Sequence, residues 1–142
     1  MGVKLPEGYR PSTDEPFMNQ RQQEYFRRKL LAWREELLED YEETRTNLGN
    51  RERSEGDEID LTSGESELAL ELRFRDRERK LLAKIDQALE RLAEGTYGYC
   101  VETGKPIGLE RLEARPAAAL CIEAQEEHER REALRGRDED EE

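Results

Sequence analysis

Two cysteines, Cys100 and Cys121, stand where a metal-binding ribbon would begin each of its ligand pairs. A four-thiolate zinc site needs a second cysteine three residues after each, and those positions hold Thr103 and Ala124. A threonine hydroxyl is too weakly acidic to bind zinc as a thiolate does, and alanine offers no donor atom. The other donors nearby are Glu102, Glu123 and His128. On a helix continuing from Cys121, His128 falls about two turns, roughly 10 Å, further along. The expectation is therefore a ribbon-like module that folds without metal. Thr103 would bond inside its turn, Ala124 would let the last helix approach, and Tyr97, Tyr99, Ile107, Leu112, Leu120 and Ile122 would supply a compact apolar cluster. Two cysteines do not make a disulfide framework, and the chain is expected in the cytoplasm, where thiols stay reduced. A thiol-based redox or metal sensor built on Cys100 and Cys121 is the competing chemistry.

Charge sets the next bound. The formal net charge is -12, from 24 Lys and Arg against 36 Asp and Glu, and such a chain repels phosphate backbones. The richest basic run, Arg73 to Lys80, is interleaved with Asp76 and Glu78, so direct DNA binding is not expected. That run, "RFRDRERK", is either a contact surface or a solvated face bridged to Glu35, Glu36, Glu39 and Glu43. A lone His128, with no nucleophile signature, argues against a hydrolytic enzyme. There is no apolar run near the roughly 18 to 20 residues that a membrane span needs.

These groups must be held by long helices, because 42% of the residues are charged and only 34% hydrophobic, enough for one small core. Pro6, Pro11 and Pro16 make residues 1–18 an irregular arm. Asn19 is an N-cap with Gln22 three residues on, as in a capping box. Phe26, Leu30, Trp33, Leu37, Tyr41, Thr44 and Leu48 then stripe one helix face. Gly49, Asn50, Gly56 and clustered charges mark a loop over 49–61. A second capping box, Thr62 with Glu65, opens a helix with Leu68, Leu72, Phe74, Leu81, Leu82, Ile85, Leu89 and Leu92 on its apolar positions, closed by Gly95. Residues 19–95 are thus predicted as a long antiparallel coiled-coil hairpin, with Asp57 and Asp60 at its tip. Over 96–135, Thr103-Gly104-Lys105-Pro106 reads as a turn between two short strands, and Pro116 as the first turn of a C-terminal helix reaching about Arg135. Residues 136–142 are an acidic tail. The fold class is mainly α, a hairpin rod with a small zinc-ribbon-like globular end.

The segments "FRRKLLAWREEL", Asp57-x-x-Asp60, "LELRFRDRERKLLAKI", "YGYC" and "IGLERLEARPAAALCIEA" come in an order and spacing that resembles the DksA family of bacterial transcription factors, from about Met18 to the final helix. The resemblance implies a protein that binds RNA polymerase. The hairpin would enter the secondary channel, through which nucleotides reach the catalytic centre, while the globular end grips the rim. With guanosine tetraphosphate (ppGpp), members alter initiation in the stringent response. Carried over by position, Asp57 and Asp60 match the acids of the family's Asp-x-x-Asp-x-Ala tip, with Thr62 in place of the alanine. Arg77 falls at a position of polymerase contact. Lys84 and Arg115 fall where ppGpp is held, and Gln125 stands where a lysine is usual. Cys100, Thr103, Cys121 and Ala124 match a zinc-independent two-cysteine subgroup. No cofactor, no catalytic residue and a monomer are expected. A Gre-like transcript cleavage factor, which also presents acids on a hairpin tip, is disfavoured by the sequence of the globular end.

Overall fold

The computed structural model describes residues 3–54 and 61–140, with helix positions 47–54, 61–65 and 137–140 in backbone alone. The elements are α1 (Gln20–Ser54), α2 (Leu61–Glu94), α3 (Leu109–Ala114) and α4 (Ile122–Asp140). Among the described residues there is no strand, only an isolated antiparallel bridge between Tyr99 and Pro106. The mainly helical hairpin with a small globular end is the architecture expected.

α1 begins as its sequence dictates. Asn19 Oδ1 accepts the Gln22 N–H at 2.9 Å, and Gln22 Oε1 takes the Met18 N–H at 2.7 Å, one residue outside the cap. The stripe then buries Phe26, Leu30 and Leu37, with Trp33 packed against them. At 1.5 Å per residue, α1 and α2 are each about 50 Å long. Arg34 Nε meets Asp86 Oδ1 at 2.7 Å, and the Arg75 guanidinium lies 4.8 Å from the Tyr41 ring centroid. Ascending numbers on one helix meet descending numbers on the other, so the pair is antiparallel.

Three boundaries differ from expectation. α1 runs past Leu48 to Ser54 and α2 begins at Leu61, so helix takes up positions 49–54 and 61 of the expected loop, and 55–60 lie outside the described residues. An interior glycine costs about 1 kcal/mol, but once a helix is nucleated each further bond comes cheaply, and Arg51 to Ser54 continue it. Thr62 lies inside α2 as its second residue rather than ahead of it as a cap. On α2 positions 68, 71, 75, 78, 82, 85, 89 and 92 are covered in a heptad seam, with Leu81 and Ala88 covered beside it, while Leu72 is 51% and Phe74 56% exposed. The seam is therefore charged where leucines were expected. Glu78 sits in it with its pKa raised by burial and by the charge of Asp40. Within the basic run Arg79 and Lys80 both reach Asp76 of their own helix, while Arg75 crosses to the Tyr41 ring of α1.

Past α2 the chain closes as predicted on Gly95, at φ +83°, with the Thr96 and Tyr97 N–H groups both donating to Arg91 O. The expected pair of strands reduces to a tight turn in which Cys100 N–H donates to Lys105 O and Ile107 N–H to Gly98 O, both at 2.8 Å. The helix expected from Pro116 begins only at Ile122. Over 116–120 the carbonyls are taken by distant donors: Pro116 O by the Tyr97 hydroxyl at 2.7 Å, Ala119 O by Val101 N–H at 2.9 Å, and Leu120 O by Arg111 Nε at 3.1 Å. Alanine-rich propensity yields to these tertiary bonds. Ile122, placed in the apolar cluster by its sequence, is 55% exposed.

The core gathers where rod and globular end meet. Phe26 and Leu30 of α1, Ile85 and Ala88 of α2, and Tyr97, Cys100, Ile107, Leu112, Cys121 and Ala124 are all buried together. The amino-terminal arm is irregular, as expected, yet docked. Phe17 stacks edge-on to Tyr99 at 5.4 Å, and Met18, at φ +56°, covers Gly98. Gln22 is wholly buried beneath it.

Candidate functional site

A cleft of about 540 Å³ opens between the base of the rod and the globular end. α2 contributes Leu81, Lys84, Gln87 and Arg91, which recur every three or four residues along one helix face. The end of α3 and the turn after it supply Arg111, Ala114 and Arg115, the irregular 117–120 segment closes one side, and Gln125 of α4 and Trp33 of α1 complete the wall. The 116–120 segment stays out of helix for the hydrogen-bonding reason given above, opening in a turn that Ala118 N–H closes on Arg115 O at 3.0 Å, and its alanines are small. Four cations and no carboxylate line this cleft, in a chain with 36 acidic residues.

The structure thus brings together Lys84, Arg115 and Gln125, which the sequence placed in a common site, and adds Arg91, Arg111 and Trp33. Lys84 and Arg115 are exposed. Arg91 is half-buried, with its Nη2 enclosed and lacking a hydrogen-bond partner; burial lowers its pKa, offset in part by Tyr97. The Gln125 amide donates to Glu129 at 3.3 Å. Arg91 stands seven residues after Lys84 on the same face of α2, a spacing that did not single it out among the many arginines of the chain. Arg111 was legible only with α3 recognised, since it precedes Arg115 by one helical turn.

Arg77 lies outside the cleft on the exposed surface of α2, its guanidinium 6.0 Å from the Phe74 ring centroid. It precedes Lys84 by two turns, roughly 10 Å along the same face. Asp57 and Asp60 lie outside the described residues, and so does the side chain of Thr62.

The four positions weighed for a metal do converge. Cys100, Cys121 and Ala124 are buried, and Thr103 Oγ1 lies 3.7 Å from Cys121 Sγ. Burial pushes the Cys100 thiol up, but the Thr103 hydroxyl and the N–H groups of Cys121, Thr103 and Glu102 outweigh it and bring the pKa down to about 6. The N–H cradle that favours a thiolate is present, yet the donor set is two thiols, a hydroxyl and a methyl. Glu102 is engaged by His128 Nε2 at 2.5 Å and Glu123 by Lys105 Nζ at 3.1 Å. Among the described residues no three His, Cys, Asp or Glu side chains converge as metal ligands, so this set does not fit a tetrahedral zinc ion. Among the described residues no helix is long and apolar enough to cross a membrane.

Comparison with known proteins accounts for both halves. Residues 22–92 match the family model for the N-terminal domain of the DnaK suppressor protein DksA, and residues 95–130 match that of the prokaryotic dksA/traR C4-type zinc finger. Thr103 and Ala124 depart from the four-cysteine pattern that the second description names. The chain is 60% identical over 126 residues to the RNA polymerase-binding transcription factor DksA of Caulobacter vibrioides, covering 89% of each. It is 43% identical over 117 residues to the factor of the same name from Escherichia coli, covering 82% of this chain and 78% of that one. The solved structure of transcription factor DksA2 from Pseudomonas aeruginosa superposes with a TM-score of 0.76 at 52% identity, over 82% of this chain and 90% of that one. With its rod, its globular end and its sequence all matched, the chain belongs to the DksA family.

Proposed function

We propose that this protein is a non-enzymatic regulator of transcription that binds RNA polymerase, inserts its hairpin into the secondary channel, and alters initiation together with ppGpp. Relatives that bind RNA polymerase, at up to 60% identity over 126 residues, support the partner. The observation that carries the rest is the cation cleft at the foot of a rod about 50 Å long. Such a rod reaches into a pore closed to a globular domain, while the cleft stays outside at the rim with Lys84, Arg91, Arg111 and Arg115 facing a polyphosphate. Arg77, exposed on α2, touches polymerase in this reading. Asp57 and Asp60 act from the tip, where carboxylates delivered by a stiff support perturb charge and magnesium coordination near the catalytic centre.

The globular end holds without zinc in this reading, its contacts with the rod replacing coordination. Fewer thiols leave it tolerant of oxidation and of zinc limitation. The protein acts as a monomer in the cytoplasm and makes no direct contact with DNA. The deciding experiment is retention on immobilised core RNA polymerase followed by in vitro initiation with and without ppGpp. Binding with nucleotide-dependent change in initiation is expected. Failure to bind ends the reading, and RNA cleavage in a stalled complex would replace it with a Gre-like activity.

A further inference from the structure

The turn that carries Cys100 and Thr103 is where a metal would act, and the donor set beside it does not fit one. Toward Cys121 and α4 that turn is tied by Val101 N–H on Ala119 O at 2.9 Å, by the Thr103 hydroxyl 3.7 Å from Cys121 Sγ, and by the exposed pairs Lys105–Glu123 and His128–Glu102. The same turn is also held by the amino-terminal arm. Phe17 meets the Tyr99 ring edge-on at 5.4 Å, Met18 lies buried against Gly98, and Thr13 lines a surface hollow with Ile107, Gly108 and Leu109. Phe17 and Tyr99 are separated in sequence by the whole hairpin, so their contact closes its open base.

The arm is in turn anchored on α1. The Gln22 side chain is wholly buried and its amide is directed to the arm: Oε1 accepts the Met18 N–H at 2.7 Å, and Nε2 donates to Ser12 O at 3.2 Å and to Glu15 Oε2 at 3.3 Å. If the arm left, these buried atoms would be orphaned, at a greater cost than the bonds contribute while made. Nearer the amino end, Arg28 Nη2 reaches Val3 O at 3.2 Å, and Tyr9 meets the Tyr25 ring edge-on at 6.2 Å.

We propose that the arm is a strap that positions the globular end on the rod, restraining by packing and buried hydrogen bonds the turn that a metal ion would restrain by coordination. This rests on the zinc-free reading above and names the segment that carries it. Strap and ion are interchangeable restraints on one turn, so each matters less when the other is present.

The test compares the unmodified chain, deletion of residues 3–17, and Phe17→Ala. Each is also made with Thr103→Cys and Ala124→Cys and supplied with zinc, and all are read by melting temperature, zinc content and retention on core RNA polymerase. With two cysteines, the deletion is expected to lower the melting temperature by roughly 10 °C and polymerase affinity about tenfold, with a smaller fall of both for Phe17→Ala. In the zinc-loaded four-cysteine chain most of each loss should be recovered, and a chelator should bring it back. An arm that only touches polymerase directly would lose affinity equally in both backgrounds, and an arm with no task would lose nothing in either; each result overturns the strap. So does a four-cysteine chain that takes up no zinc, or takes it up without relieving the deletion. Should the deletion leave the two-cysteine chain unfolded, Phe17→Ala makes the same comparison in both backgrounds, and an equal fall in the two overturns the proposal. A chelator that melts the unmodified chain ends the zinc-free reading itself, an outcome distinct from any effect of the arm variants.

Discussion

A Cys100 thiol whose pKa is brought down to about 6 by the Thr103 hydroxyl and the surrounding N–H groups has a measurable consequence. Because the folded-state value of Cys100, about 6, lies below the ordinary 9.0, the unfolded chain holds the extra proton between those limits. Stability from this group is therefore full above about pH 9 and is lost as pH falls through about 6. Melting temperature is expected to rise from pH 6 to pH 8, and Cys100→Ser should flatten that rise. A slope unchanged in the variant would show that the thiolate is not responsible. Gly98 sits at φ +93°, and a Cβ built there meets Met18 Cγ at 2.7 Å. Gly98→Ala combines left-handed strain with a clash and should destabilise by about 1–3 kcal/mol in denaturant titration. At this scale the sequence revealed residue types more readily than partners. Lys84, Arg115 and Gln125 were legible through family resemblance, whereas Arg91 and Arg111 needed the fold, because nothing in a chain rich in arginine marks which guanidiniums are enclosed.

Among the elements, the rod was readable and its phase was not. Caps at Asn19 and Gly95 fall where local chemistry put them, because capping depends on neighbours only a few residues away. The α2 seam was misread at Leu72 and Phe74, since alternating leucines and arginines satisfy more than one helical phase and only the partner helix decides between them. The consequence is a paired prediction. Phe26→Ala should cost about 3–5 kcal/mol, as its ring has no exposed surface, while Leu72→Ala should stay within about 0.5 kcal/mol. Equal effects in a chemical-denaturation series would contradict the seam described. The late start of α4 was illegible for a related reason. Propensity favours a helix from Pro116, and only the hydroxyl of Tyr97, nineteen residues earlier, draws that carbonyl away.

The whole molecule divides its tasks by position along one axis. The cation cleft and the core occupy one end of the hairpin, and Asp57 and Asp60, which lie outside the described residues, are proposed to act from the other. Asp60→Asn is therefore expected to leave retention on core polymerase within about twofold while abolishing the change in initiation, since a distant uncharged tip costs the base no contact. Parallel loss of both would assign the tip to binding instead. Treatment with EDTA or a tighter zinc chelator should leave the melting curve in place, because two thiols, a hydroxyl and a methyl give a metal too little to hold. A fall in melting temperature on chelation would establish a structural ion.

The fully buried positions of α1 run only from Gln22 to Leu37, and those of α2 are Ile85 and Ala88, among the residues whose side chains are described. Among the described side chains, burial is thus concentrated in the half of α1 nearest the globular end, and the outer hairpin is carried by it like a boom on a footing. An evolving lineage can rewrite the outer reach of such a boom one substitution at a time and still inherit a folded protein. That freedom makes the scaffold well suited to acquiring new effects on the enzyme it probes.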